Sequence, residues 1–422
     1  MGDPRQLRSL ILSLSSGAAT AALAIAFMLI FFATQPAHTQ TFKVIHNFTV
    51  RDGYIPFAGV TMDKKGNLYG TANLGGGGYG TVYELSHQGS NWIFNLLYSF
   101  VDFSVGAYPQ ARVIFGPNGA LYGTTYEGGP GCYPAYPSCG TVFKLRPSPV
   151  ACKTLPCRWT ETVLDDFHGP PDGAFPGYGD LLFDQAGNIY GTTFNGGIHD
   201  AGTVYELTPS GSGWTESVLY SFGSGSDGVY PYNGVILDSG GNLYGTTAGG
   251  GPSHYGTVFQ LVPATGGWRE NILYNFQNGS DGDIPRAGLL LDSSGSIYGS
   301  TGDGGSGGGG TVFKLTPSGG SWTYSLVYSF TGGPGCGPFS SLVMDGAGNL
   351  YGTTVCGGVN AGSVFKLTPS ANGWTYTSLH DFNGVDGQYP YGGVVSDAEG
   401  NLYGTASQGG QEDGGIVWEI TP

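Results

Sequence analysis

Basic residues are scarce in this sequence: 15 Lys and Arg face 30 Asp and Glu, for a formal net charge of −15. So acidic a surface repels phosphate backbones and offers no basic stripe, which excludes nucleic acid as a partner. Anionic lipid is disfavoured on the same ground. Runs of Ala, Leu, Glu and Lys are few, which argues against a largely helical fold. Cysteine is limited to six residues, none in the C-x2-C form that zinc sites favour. There is no G-x-S-x-G elbow, and so no motif support for a catalytic triad. What the chain has in quantity is 79 Gly, 25 Pro and 14% aromatic residues, the mixture of short strands joined by tight turns.

One long apolar run occurs, roughly Gly17 to Ala33, with Arg5 and Arg8 before it and Thr34 to Thr39 after it. Residues 1–39 read as an export signal, with Ala37 three residues before a cut after Thr39, or as a retained N-terminal anchor. A membrane partner is expected only if that segment is retained. All six cysteines lie beyond it and pair by proximity as Cys132/Cys139, Cys152/Cys157 and Cys336/Cys356. Disulfides, and hence a periplasmic, cell-surface or extracellular location, are the expectation.

The remainder writes one phrase seven times: Gly, a small or amide residue, Leu or Ile, Tyr, Gly, then Thr or Ser. Its tyrosines are Tyr69, Tyr122, Tyr190, Tyr244, Tyr298, Tyr351 and Tyr403, spaced by 53, 68, 54, 54, 53 and 52. A fixed period of this size marks a solenoid or a propeller. Residues 231–276 show a whole unit: PYNGVILD, NLYGTT, GTVFQLVP and WRENILYNF, each bounded by turn residues. These four runs, A to D, predict strands of about six to nine residues.

Residues 390–422 supply A, B and C of a seventh unit but no D, while residues 42–48 (FKVIHNF) read as a lone D strand. The fold expected over residues 40–422 is therefore all-β: a single seven-bladed β-propeller of four-stranded antiparallel blades. The strand at 42–48 completes the last blade against 415–421, which removes two open edges. Within strand A, Gly59, Gly179, Gly234, Gly288 and Gly393 recur, with Arg112 and Ser341 as exceptions. Such crowding places A at the central axis.

The repeat resembles the Gloeo/Verruco, or GloVer, tandem-repeat proteins, through text such as DSGGNLYGTTAGGG…GTVFQLVP and DGAGNLYGTTVCGG…GSVFKLTP. The resemblance spans residues 42–422. It implies an exported bacterial, β-propeller-like array and brings no catalytic residues.

Two Asp series recur. Asp63, Asp184, Asp238, Asp292, Asp345 and Asp397 sit at the A–B turn, where side-chain-to-backbone bonding explains them. Asp52, Asp172, Asp227, Asp281 and Asp386 precede strand A in Asp-Gly-x-x-Pro, on the face that also carries the B–C loops. Five rim carboxylates are donors of the type Ca²⁺ takes, but they stand one per blade, so turn structure is the leading reading and no cofactor is expected. His199 and His254 fall in B–C loops of adjacent units and could share a ligand, though solvated loop residues explain them as well. Arg112 replaces an axial glycine; it points either to a ligand carboxylate in the channel mouth or to an internal acidic partner. The aromatics before Pro (Tyr108, Phe175, Tyr230, Tyr389) suit filling between blades better than sugar stacking. Cys132–Cys139 and Cys152–Cys157 read as local staples on opposite faces of unit two. Cys336–Cys356 would join the D–A and B–C loops of unit six.

Together these features predict a monomeric binding or scaffold module at the cell surface, for a glycan, a small molecule or a protein. The rival is a propeller enzyme, a lyase or hydrolase on polysaccharide or a small ester, with an axial site. No catalytic residue is nominated.

Overall fold

Each Leu-Tyr-Gly-Thr phrase forms a five-residue strand, buried along its whole length in six blades, as in Ile189–Thr193 and Leu243–Thr247, and at all but Tyr351 in Leu350–Thr354. Burial on both faces leaves no room for a side chain at its glycine. A Cβ on Gly191 would lie 2.3 Å from the Tyr205 hydroxyl on the neighbouring strand. The computed structural model describes residues 40–89, 91–132, 138–147, 159–223, 225–277, 279–332, 336–357 and 360–422. The segment 1–39 and the pair Cys152/Cys157 lie outside the described residues.

Phe42–Thr421 form one compact unit, a ring of seven blades of four antiparallel strands. Blade three is representative: Leu182–Phe183, Ile189–Thr193, Thr203–Ser210 and Gly213–Ser221, hydrogen-bonded in that order. Strand A is shorter than the sequence suggests, pairing with B over only two residues in each blade. Its first half leaves the sheet and lines the axis instead. In the last blade, Val395–Ser396, Leu402–Ala406 and Ile416–Thr421 are completed by Thr41–Asn47 from the other end of the chain.

The core lies between blades. One cluster joins Tyr190, Val204 and Phe222 of blade three to Val235, Leu243, Phe259 and Leu261 of blade four, and the other clusters repeat this arrangement around the ring. The D-strand Trp packs on the repeated Tyr of the preceding blade, as Trp214 on Tyr122, Trp322 on Tyr244, Trp374 on Tyr298 and Trp92 on Tyr403. The same Tyr hydroxyl bonds the A–B turn aspartate: Tyr244 reaches Asp238 at 2.9 Å, and Asp238 also accepts from the Asn242 amide at 2.9 Å and its side chain at 2.8 Å. The first Asp series is thus turn architecture.

The residue before each blade-leading Pro ties adjacent blades together. Tyr230 donates its N–H to Ala201 of blade three at 2.8 Å and accepts from Ala248 of its own blade at 2.9 Å. The geometry demands a positive φ, 62° at Tyr230, and recurs at Ile55, Tyr108, Phe175, Ile284 and Tyr389. At the ring closure Ile55 donates to Gly414 at 2.9 Å and Phe48 to Gly415 at 3.0 Å.

Candidate functional site

The A–B register fixes which residues face the axis. Two positions before the residue opposite each repeated Tyr stand Gly59, Arg112, Asp180, Gly234, Gly288, Ser341 and Gly393. Gly179, expected in this set, lies one residue earlier, because unit three carries an extra residue between Pro176 and its A strand. An acid therefore stands beside the axial arginine. Asp180 accepts from the Arg112 Nε at 2.9 Å and from its backbone amide at 3.2 Å, and it also meets Nη2. That carboxylate lifts the Arg112 pKa further above its ordinary value. The extra residue has a second effect. Elsewhere the first Thr or Ser hydroxyl after Tyr-Gly donates to the next blade's A strand, as Thr192 does to Asn233 at 3.0 Å and Thr405 to Ala58 at 2.7 Å. Thr124, facing unit three, is buried without a partner.

Above this wall lies a cavity of about 320 Å³, at the low end of the roughly 300–1,000 Å³ usual for small-ligand sites. Its collar is made by the residue following the blade-leading Pro: Phe57, Gln110, Tyr232, Arg286, Phe339 and Tyr391, with Tyr178 supplied by the insertion of unit three. Phe57 stacks on Tyr391 at 4.6 Å, and Tyr178 stacks on Tyr232 at 4.0 Å. Phe57 meets Tyr178 at 5.8 Å and Phe339 meets Tyr391 at 6.0 Å. The Arg286 guanidinium closes the circle, 5.2 Å from the Tyr232 ring and 5.5 Å from Phe339. Burial raises the phenol pKa of Tyr178, Tyr232 and Tyr391 above the ordinary value, so all three hold their protons near neutrality.

Of the candidate ligand-binding residues singled out from sequence, Arg112 alone lines this cavity, beside the axial Gly59, Ser341 and Gly393. The rim aspartates hold their own loops. Asp227 accepts from the Gly223 and Gly228 amides, both at 2.7 Å, and from Tyr220 at 3.3 Å. Asp281 accepts from Gln277 and Gly279, both at 3.0 Å. Asp172 takes the His168 amide at 2.8 Å, Asp386 meets His380 at 3.1 Å, and Asp52 lies 3.4 Å from His46. His199 and His254 are exposed on their B–C loops. Among the described residues no group of three His, Cys, Asp or Glu is arranged to hold a metal ion.

The D–A and B–C loops do share a face, bridged as Tyr54 to Leu74, Gly228 to Gly250 and Gln388 to Gln408. In blade six the same junction holds the Cys336–Cys356 disulfide, with Cα atoms 4.4 Å apart. Cys132 and Cys139 are also bonded, at a Cα separation of 5.5 Å. The pre-proline aromatics sit between blades: Phe194 of blade three stacks on Tyr230 at 5.0 Å, and Tyr126 of blade two on Phe175 at 5.0 Å.

The collar was missed because it does not recur: one position reads Phe, Gln, Tyr, Arg, Phe and Tyr in different units. The signal available was that variability itself, next to an otherwise constant Pro on the innermost strand.

Similarity to solved structures agrees with the architecture. An ulvan lyase, a polysaccharide lyase, superposes with a TM-score of 0.52 at 11% identity, covering 87% of this chain and 94% of that one. A fungal alcohol oxidase gives 0.54 at 14% identity, over 90% and 76%. A Bacteroides uniformis protein assigned as a 6-phosphogluconolactonase gives 0.50 at 15% identity, over 77% and 84%. At these identities the likeness is one of fold. Comparison with curated proteins gives no match. The Gloeobacter/Verrucomicrobia repeat matches residues 30–231, 154–323 and 233–422, and together with the seven Tyr-Gly phrases and the blades they build, this makes the chain a member of the Gloeobacter/Verrucomicrobia repeat family.

Proposed function

We propose that this protein is an exported binding module that seats a small molecule, or the end of a glycan, in its axial cavity. The observation that carries this reading is the convergence of side chains from all seven blades on one half-open chamber lined by aromatic rings and a few polar groups. Small-ligand sites combine such an apolar lining with a few oriented polar groups. Two disulfides among the described residues support an oxidising location, and residues 1–39 supply the export signal or anchor.

An enzymatic reading needs a base or nucleophile at the cavity. Asp180 is committed to Arg112, and the three phenols are held protonated. Binding is therefore the stronger reading. The test is a calorimetric and NMR screen of the full-length protein against oligosaccharides and metabolites, repeated with Tyr232→Ala and Phe57→Ala. Ligands found should lose most of their affinity in both variants. Binding that survives both substitutions would move the site off the axis and overturn the proposal.

A further inference from the structure

Arg286 is the cation that the cavity leaves uncommitted. Arg112 spends its charge on Asp180, whereas Arg286 forms no ion pair with any described residue. Its Nε is buried and without a hydrogen-bond partner. Tyr232 and Phe339 lie 5.2 and 5.5 Å from the guanidinium, so cation–π contact holds its planar faces and leaves the N–H edge for another group. Asp283, whose carboxyl senses the Arg286 charge only weakly, has its own pKa raised chiefly by burial and makes no ion pair with it. Across the chamber the lining residue Gln110 carries a second orphan, a buried carbonyl oxygen without a donor.

A buried donor edge that carries a full charge, left unpaired, costs more than a neutral one. An unpaired guanidinium edge is complementary to a carboxylate, which it can bind in two parallel hydrogen bonds. An unpaired amide oxygen is complementary to a hydroxyl. Half-buried Phe57, Tyr178, Tyr232, Phe339 and Tyr391 offer ring surface between the two. From this juxtaposition we infer that the axial cavity is selective for a cyclic hydroxy acid, with its carboxylate on Arg286, a hydroxyl on Gln110 and its ring against the collar. This rests on the axial-site reading above and adds the ligand's charge and chemical class. A sugar acid and an aromatic hydroxy acid both meet the description. The volume of about 320 Å³ suits one such ring or a chain terminus, not the interior of a long polymer.

The experiment is titration calorimetry of the full-length protein with D-galacturonate, D-galactose, 4-hydroxybenzoate and 4-hydroxybenzyl alcohol at fixed ionic strength. At least one acid should bind about tenfold or more tighter than its neutral counterpart, as charged hydrogen bonds allow, and the arm that shows it names the source. Arg286→Gln should abolish the preference while leaving the weaker neutral binding in place, and Arg286→Lys should restore part of it. Thermal melts identify any variant that fails to fold, and the wild-type acid-to-neutral ratio needs no variant. Equal affinity for acid and neutral partners, with both lost in Tyr232→Ala, would overturn the charge assignment and leave the axial site standing. A preference unchanged by Arg286→Gln would overturn it too. Absence of binding by all four probes would count against this inference, while the wider screen decides the axial site itself.

Discussion

Gly202, the residue before strand C of blade three, lies against the ring of Pro231 at the start of blade four. A Cβ there would stand 2.4 Å from the Pro231 Cδ and 2.6 Å from the Thr193 carbonyl, at a φ of +101°. The same Gly-to-Pro approach joins Gly80 to Pro109, Gly140 to Pro176, Gly256 to Pro285 and Gly362 to Pro390, and it closes the ring between Gly415 and Pro56. Propeller seams thus combine a residue that must lack a side chain with one that lacks an N–H. That is why Gly-Thr-Val and the blade-leading Pro recur together.

Gly202→Ala should therefore cost well over 1 kcal/mol, since neither the φ nor the space admits a methyl group. Gly211→Ala is the control. Gly211 also has a positive φ, +59°, but it lies on a C–D turn with no atom near its missing Cβ, so it should lose only about 1 kcal/mol or less. Chemical denaturation of both variants measures the difference. Equal losses would mean that the seam contact contributes nothing beyond backbone strain.

The Arg112–Asp180 pair is expected to be strongly coupled. Asp180→Asn removes the charge that Arg112 faces and should destabilise by about 1–3 kcal/mol. The double change Arg112→Gly with Asp180→Gly restores the residue that most blades carry and should cost less than the two single changes summed. A double-mutant cycle reads the coupling directly. Additive losses would show that the pair contributes no mutual stabilisation.

The ring and its turn chemistry were legible because seven copies repeat them. The Tyr-Gly phrase recurs in all seven blades and the A–B aspartate in six, with Gly116 in the second, and the terminal Phe-Lys-Val-Ile-His-Asn-Phe supplies the one D strand the last unit lacks, so recurrence reveals them. The site obeys the opposite rule. Arg286 and Gln110 occupy one position in a series that is otherwise aromatic, and Asp180 reaches the axis only through an inserted residue, so comparing units by their glycines misplaces it. The rim aspartates recurred because loops need them. Recurrence in a propeller identifies what builds the ring, and departures from it identify what faces the channel.

Closure by the first strand carries its own prediction. Phe48 is fully buried among Tyr83, Val60 and Val417, across the junction of the last blade and the first. Phe42 stacks on His380 at 3.6 Å, fixing the same strand to blade six. Phe48→Ala should cost about 3–5 kcal/mol, the usual range for a buried aromatic truncated to Ala. Deletion of residues 40–48 should lower the melting temperature by many degrees or cause aggregation, since it exposes the edge of Ile416–Thr421. Retention of the wild-type melting temperature by that truncation would contradict a load shared around the closed ring.

The outer seams between D strands make stability depend on pH. Burial, reinforced by neighbouring acids, raises Glu216 to about 8 beside Asp172 and Asp165, and Glu270 to about 8 beside Asp227. Glu161 rises to about 7, with Asp166 adding to burial, and Asp165 to about 6, with Asp172 and Asp166 adding to it. Each of these groups keeps its proton in the folded protein at a pH where the unfolded chain has released it. The native state therefore binds more protons between about pH 4 and pH 8, and stability must fall as pH rises through that window. His46 and His380 act in the opposite sense: burial lowers both pKa values, so their stability contribution grows as pH rises, but only up to the ordinary histidine range near 6.5. Above it the glutamates act unopposed by these histidines. The melting temperature should accordingly decline between pH 6.5 and pH 8.5. Glu216→Gln combined with Glu270→Gln should flatten most of that decline, because glutamine supplies the neutral form at every pH. Calorimetric scans across this range decide the matter: a melting temperature that is level or rising toward pH 8.5 would show that the seam carboxylates ionise without cost.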